Sequence, residues 1–352
     1  MSDIKPFLKS LISVSGLSAY ETPVMHLIEE RWRPLVDEIS LSKLGSLHGL
    51  KRGSGSTPRP SIAVATHMDA IGLMVTGLMD GFLHFTDGAV VDPRVLPGQA
   101  VTVHGRQDLP GIIVQPPARF LPEGAGDGTV EVQYLLVDVG VPARKVAELV
   151  RVGDPISFAS QPVALTGETL AGHSLDNRAS VAALTVCLEE LKGIVHAWDV
   201  WAVATVQEEI NYAGAYTSAY ELRPDLAIVV DTTFAKGPGA NDWRTFPINK
   251  GPVLGIGPNI HPSLHKRFKE LCDQLEIPFG IEPMPHHSGT DAYAMQVTAE
   301  GVPTMVVSIP LRYMHTPVEL IALKDVQRTG RLLAAFIGGL DRDTLNSLSG
   351  DE

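Results

Sequence analysis

Four short apolar runs stand out along the chain: SIAVAT from Ser61, WDVWAVATV from Trp198, LAIVV from Leu226 and TMVVSI from Thr304. Near-continuous runs of this length predict strands covered on both faces, as in the centre of an α/β sheet. Elsewhere the apolar positions follow a helical period. Phe7, Leu8, Leu11 and Ile12 share one helical face, and Val24, Leu27, Ile28 and Trp32 share another. Val181, Leu184, Leu188 and Leu191 do the same within NRASVAALTVCLEELK. Between the first two helices, SGLSAYETP reads as a turn, and its Thr22-Pro23 pair suits an N-cap followed by a first-turn proline.

From about Leu73 to Ser160 the texture changes. GFLHF, AVTVH, GIIVQ, VEVQYLLVDV and PISFA alternate in polarity and are separated by Gly, Pro and Asp turns, with one helical stretch, PARKVAELV. The expected organisation is an α/β domain formed by residues 1–72 and 164–352. A small all-β unit, barrel or sandwich, is inserted at 73–163. RGSGSTPRP is a loop by composition, and DRDTLNSLSGDE is expected to be a frayed tail.

Composition narrows the function classes. With 352 residues, 44% hydrophobic and 19% charged, the chain can bury one large or two ordinary cores. A formal charge of -12 argues against nucleic acid as the main partner. No run reaches the roughly 18 apolar residues of a spanning helix, and MSDIKPFLKS lacks a signal-peptide core. Cys187 and Cys272 form neither a CxxC pair nor a disulfide framework, so a cytoplasmic protein is expected.

The candidate chemistry lies just after the apolar runs. SIAVAT is followed by His67 and Asp69, WAVATVQ by Glu208 and Glu209, LAIVV by Asp231, and TMVVSI, six residues on, by His315. Ligands of open α/β sheets bind beyond the carboxyl ends of the strands. Asp176 adds a position at the start of the helix near Asn177. Taken singly, each residue has an ordinary reading: a cap, a turn acid or a hydrogen-bonded histidine. Together they make a metal-capable set of two imidazoles and several carboxylates without thiolate, which suits Zn²⁺, Co²⁺ or Mn²⁺. The set exceeds one open tetrahedral site and matches two ions about 3.5–4 Å apart that share a carboxylate. Asp69, two residues after His67, is placed to accept the second imidazole N–H. Adjacent glutamates on an extended segment would point in opposite directions, one toward metal and one toward water as general base. Spacing does not say which does which.

These residues lie in GLSAYETPV, THMDAIG, VLPGQAVTVHG, VDVGV, VGDPISF, LDNRASV, TVQEEI, VVDTT, KGPVLGIGPNIHP, SGTDA and SIPLRYMHTPVE. In this order they resemble the tetrahedral aminopeptidases, co-catalytic metallopeptidases that include glutamyl and deblocking enzymes, some labelled endoglucanases. The resemblance covers nearly the whole chain. It implies a mixed-sheet, zinc-aminopeptidase-like α/β/α domain with an inserted small β-barrel used for dimerisation. It also implies a homo-oligomer, from the dimer up to a hollow tetrahedral dodecamer, acting on short peptides. Two divalent ions would be bridged by Asp176, with His67 and Asp231 completing one and Glu209 and His315 the other. Glu208 would be the general base and Asp69 the orienter of His67. Three places depart from the family pattern: Ala70 stands where an acid is common, Asn211 and Tyr212 where a glycine is common, and SLH at Ser46–His48 lacks an asparagine. The resemblance implies that His286, His287 and Asp291 lie in a loop near the substrate and that Asn259 and His261 face the site or the oligomer contact; none of the five is assigned to metal.

The leading expectation is metal-dependent removal of N-terminal residues from short peptides. A dinuclear amidase or deacylase on non-peptide amides, and a silent peptide-binding scaffold, are the alternatives. A glycosidase is disfavoured, because adjacent glutamates do not readily flank a sugar bond at the separation of about 5–9.5 Å that such chemistry uses.

Overall fold

The four apolar runs become four adjacent, mutually parallel strands. In the computed structural model, which describes residues 3–88, 91–125 and 128–348, these strands are Asp199–Thr205, Ser61–His67, Leu226–Phe234 and Thr304–Leu311, in that spatial order. Leu47–Lys51 pairs antiparallel to the first of them, and Glu38–Leu41 pairs with it in turn. At the far edge, Val253–Ile256 is antiparallel to Thr304–Leu311 and carries Gly280–Pro283 outermost. The result is an eight-stranded mixed sheet.

Every residue from Ile62 to His67, from Leu226 to Thr233 and from Thr304 to Leu311 is buried, so both faces of the central strands are covered. Helices Leu175–Glu190 and Leu323–Gly338 pack on each other and on the sheet, as do Ala213–Leu222 and Asp291–Gln296. The first pair approaches closely at Gly330, where an added Cβ would lie 2.5 Å from the Ala183 carbonyl oxygen and 2.6 Å from Val186 Cβ. Neither atom can retreat cheaply, since one is backbone and the other sits in the core. Gly330→Ala is therefore expected to destabilise the fold by about 1–3 kcal/mol, read as a lower denaturation midpoint. An unchanged midpoint would show that the helices can part without cost.

The inserted unit is a closed, all-antiparallel barrel of six strands in the order Leu73–Met79, Phe82–Asp87, Leu136–Asp138, Asp108–Val114, Ala100–His104 and Pro155–Phe158. It has its own core, with Leu83, Ile113 and Val137 fully buried. PARKVAELV forms the helix Ala143–Leu149 and buries Val146.

Three expectations are corrected. VEVQYLLVDV is mostly not strand: Val132–Tyr134 is a 3₁₀ turn and only Leu136–Asp138 pairs. Its apolar residues pack as a loop over the barrel core instead, with Leu135 fully buried. Thr22 is the first residue of the helix Thr22–Trp32, not its cap; Glu21 occupies the cap position and turns its carboxylate to other backbone donors. The tail winds into a helix, Thr344–Leu348, held because Leu345 and Leu348 pack on the main core; residues 349–352 lie outside the described ones. No helix among the described residues is long and apolar enough to cross a membrane.

Candidate metal centre

Parallel strands deliver their carboxyl ends to one edge, and the register there is tight. His67 is the last residue of its strand and pairs with Thr205, so the chain that continues to Glu208 and Glu209 runs beside it. Asp231 is not the first residue of a loop, as expected, but lies within Leu226–Phe234 opposite Ser308. Hydrogen bonding continues past it because Thr232–Phe234 still pair with Ile309–Leu311. His315 follows the neighbouring strand, in a left-handed backbone conformation. Asp176 sits in the first turn of Leu175–Glu190, where Asp176 and Asn177 depart from helical geometry before the regular helix begins.

The five ligand candidates and Glu208 line one cavity of about 420 Å³. His67 Nε2 is 3.3 Å from Asp176 Oδ1, 3.7 Å from Asp231 Oδ1 and 3.7 Å from Glu208 Oε2. His315 Nε2 is 3.3 Å from Glu209 Oε2 and 3.8 Å from Asp176 Oδ2. The two oxygens of Asp176 thus face different histidines. Donor atoms of His67, Glu208 and Asp231 lie within 4.8 Å of one another, and so do those of His67, Asp176 and Glu209.

This set fits divalent cations. Among the described residues no lysine or arginine lines the cavity, while Asp176, Glu208, Glu209, Asp231 and Glu282 do. Glu209 Oε1 is buried without a hydrogen-bond partner. Buried carboxylates in such number are costly unless a cation compensates them. The protonation behaviour shows the same strain. Burial pushes Glu208 well above the ordinary carboxyl range and raises Glu209 and Asp231. Burial would depress His67, yet Glu208, Asp176, Asp231 and Asp69 together hold it well above its ordinary value. Burial likewise opposes His315, but Glu209 lifts it to about 9. Without metal, the histidines act as the counter-ions.

The orientation of the glutamate pair differs from the expectation of an extended segment. Gln207 adopts a left-handed conformation that turns the chain off the strand, and Glu208–Asn211 form a short helical turn. Their side chains diverge by about 100° per residue, as in any helical turn, not by the alternation of a strand. Asp69 also works differently. The His67 ring Nδ1 lies 3.2 Å from the Asp69 main-chain carbonyl, with the carboxylate at 3.5 Å. That carboxylate accepts from the backbone N–H groups of Glu208 at 3.0 Å and Glu209 at 3.3 Å, and from the Ser18 hydroxyl at 2.6 Å. Asp69 therefore orients the glutamate turn as much as the imidazole.

Sequence reasoning missed Glu319 and Glu21 and gave Asp291 no role around this centre. Glu319, fully buried, accepts from the N–H groups of Asp176 and His315, both at 3.0 Å, and so ties the segments of two ligand candidates together. Its signal was present in HTPVE, an acid close behind a histidine, but nothing in the spacing said it faces inward. Asp291 is completely buried, accepts from the Thr205 hydroxyl, and is pushed up by burial to about 7. Glu21 accepts from the N–H groups of Ala19 at 2.7 Å and Gln207 at 3.2 Å. Of the loop residues, Asn259 is structural: its side chain donates to Ala292 and Gln296 and accepts from the Ser288 N–H. His287 stays exposed beside Tyr293, and His261 is the cap residue of the helix Pro262–Gln274. Ala70 is buried, its N–H donating to the Gly16 carbonyl.

A mixed α/β/α sheet with an inserted closed barrel, and a nest of histidines and acids at the carboxyl ends of its parallel strands, defines a hydrolase of the aminopeptidase type. The chain belongs to the M42 glutamyl aminopeptidase family, whose profile matches residues 45–332. It is 35% identical over 336 residues to the lysyl aminopeptidase of Pyrococcus furiosus, covering 94% of this chain and 95% of that one. Its fold matches a TET aminopeptidase from the marine sediment archaeon Thaumarchaeota archaeon SCGC AB-539-E09 with a TM-score of 0.92, at 30% identity and 98% and 99% coverage. It also matches the Pyrococcus horikoshii TET1 peptidase, which can assemble into a tetrahedron or a large octahedral shell, with a TM-score of 0.82 at 27% identity, covering 96% of this chain and 100% of that one.

Proposed function

We propose that the chain is a dinuclear metal-dependent aminopeptidase that removes N-terminal residues from short peptides. The observation that carries the reading is the pair of histidines facing opposite oxygens of Asp176, inside a cavity lined by acids and lacking lysine and arginine. His67 and Asp231 would hold one divalent ion, Glu209 and His315 the other, and Asp176 both. Bound there, zinc or cobalt would supply Lewis acidity toward water and toward the scissile carbonyl. The protein's own part is then proton transfer and placement. Glu208 takes the proton of the attacking water and returns it to the leaving amine. Asp69 holds the backbone of Glu208 and Glu209, Glu319 holds that of Asp176 and His315, and the Asp69 carbonyl fixes the His67 ring.

The test is metal analysis joined to a panel of aminoacyl-arylamides and N-acyl amino acids. Close to two ions per chain are expected, with arylamide hydrolysis lost on chelation and restored by Co²⁺ or Zn²⁺. Activity that survives exhaustive chelation would exclude the metal reading, and activity confined to N-acyl substrates would favour a deacylase.

We also propose that the barrel mediates assembly into a homo-oligomer. Ile112, Phe120 and Val152 expose large apolar side chains on it, and the TET1 relative forms closed shells. Light scattering should then return a multiple of the 37.8 kDa chain mass. A strictly monomeric protein would overturn this part.

A further inference from the structure

The family profile names glutamate and a 35% identical relative names lysine, so the charge preference has to come from this chain's own cavity. Beyond the metal-ligand candidates, that cavity has a second wall, where a side chain of the outermost strand Gly280–Pro283 reaches Thr233 near the end of Leu226–Phe234. Glu282 stands there. Its Oε1 accepts from the Thr233 hydroxyl at 2.8 Å, while its Oε2 is buried without a hydrogen-bond partner. Thr232 Oγ1 and Ser308 Oγ, on the same cavity, are also buried and unpartnered. Met284 and Phe234 line the same cavity with apolar surface.

A carboxylate held on one oxygen and buried and orphaned on the other, in a residue that lines a cavity where no described lysine or arginine stands, is half of a charge pair. We infer that Glu282 is a specificity-determining residue that selects substrates with a basic N-terminal side chain, lysine or arginine. The aliphatic stem of such a side chain packs on Met284 and Phe234, and its cationic head meets Glu282. An acidic side chain would bring a second negative charge against Glu282, which, unlike the ligand candidate Asp231, has no cation to compensate it. The inference rests on the aminopeptidase reading of the site, and it adds the substrate class.

The experiment is a kinetic comparison of lysyl-, arginyl-, leucyl- and glutamyl-arylamides on the metal-loaded wild type, Glu282→Gln and Glu282→Lys. The wild type is expected to rank lysyl and arginyl above leucyl and leucyl above glutamyl in kcat/KM. Glu282→Gln should lower the lysyl-to-leucyl ratio at least about tenfold, the size expected when one partner of a desolvated charge pair is removed. Glu282→Lys should raise the glutamyl-to-lysyl ratio above that of the wild type. Using ratios within one protein cancels losses from partial unfolding. A wild-type preference for leucyl or glutamyl substrates, or a lysyl-to-leucyl ratio unmoved in Glu282→Gln, overturns the inference while leaving the peptidase intact. Absence of hydrolysis on all four arylamides would instead sink the peptidase reading itself.

Discussion

Glu208→Gln is expected to lower kcat by about 10²–10⁴-fold on a lysyl- or leucyl-arylamide while metal content stays at the wild-type level. Glutamine has nearly the shape of glutamate but cannot take a proton from water, so the variant removes proton transfer and little else. The geometry makes the outcome informative, because Glu208 Oε2 lies 3.7 Å from His67 Nε2, among the atoms that could also ligate. A general base loses turnover and keeps its ions. A ligand loses ions first. If the variant turns over substrate at the wild-type rate, Glu208 is not the base; if it loses one ion per chain, Glu208 belongs to the coordination set instead. KM should move much less than kcat, since the carboxylate acts on the water and not on the peptide.

The largest structural effect is expected at Arg178. Its guanidinium is completely buried and donates to four main-chain carbonyls: Leu11, Val14 at 2.6 Å, Gly16 at 3.4 Å and Met68 at 3.4 Å. It is the pin between the N-terminal segment, the end of the His67 strand and the helix that carries Asp176. Burial lowers its pKa to about 10, which leaves it charged at neutral pH, with the negative charges of Asp69 and Glu319 in support. Arg178→Met fills much of the volume but orphans those carbonyls, and the loss should be about 3–5 kcal/mol by chemical denaturation. Arg178→Lys restores the charge without the planar fork that reaches several carbonyls at once, so it should recover only part of that loss. Wild-type stability in Arg178→Met would mean that the N-terminal segment is held by its apolar contacts alone.

Much of the candidate site was legible because the chemistry proposed for it is written in residue type and in position after an apolar run. His67 ends and Glu208 and Glu209 follow strands whose burial is plain from Val, Ile, Ala and Leu alone, Asp231 directly follows the apolar run LAIVV, and parallel strands put such residues on one edge. The supporting residues were harder to see. Glu319 is an acid in loop-like sequence, with nothing local to distinguish it from a solvated one, and Asp291 stood out in PHHSGTDA without a role. Only the fold shows that they are completely buried, one joining Asp176 to His315 and the other beneath the cavity against Thr205. Glu21 read as part of a turn before a helix, whereas its carboxylate crosses to Gln207, 186 residues away. The inserted β unit was visible as a change of period, but its closure was not, because closing a barrel depends on pairing Leu73–Met79 with Pro155–Phe158 across the whole insertion.

The amino-acid sequence alone determined the α/β class, the inserted β unit and the residue types that could carry hydrolytic chemistry, because periodicity and burial are local properties of side chains. The tertiary structure decided the rest. It wound the glutamate pair into a helical turn, aimed the two oxygens of Asp176 at different histidines, and left Glu282 with one oxygen unpaired on the cavity wall. Those are relations between segments far apart in the chain. They are settled by which strands pair and which carboxylates find backbone donors, and local sequence does not encode either.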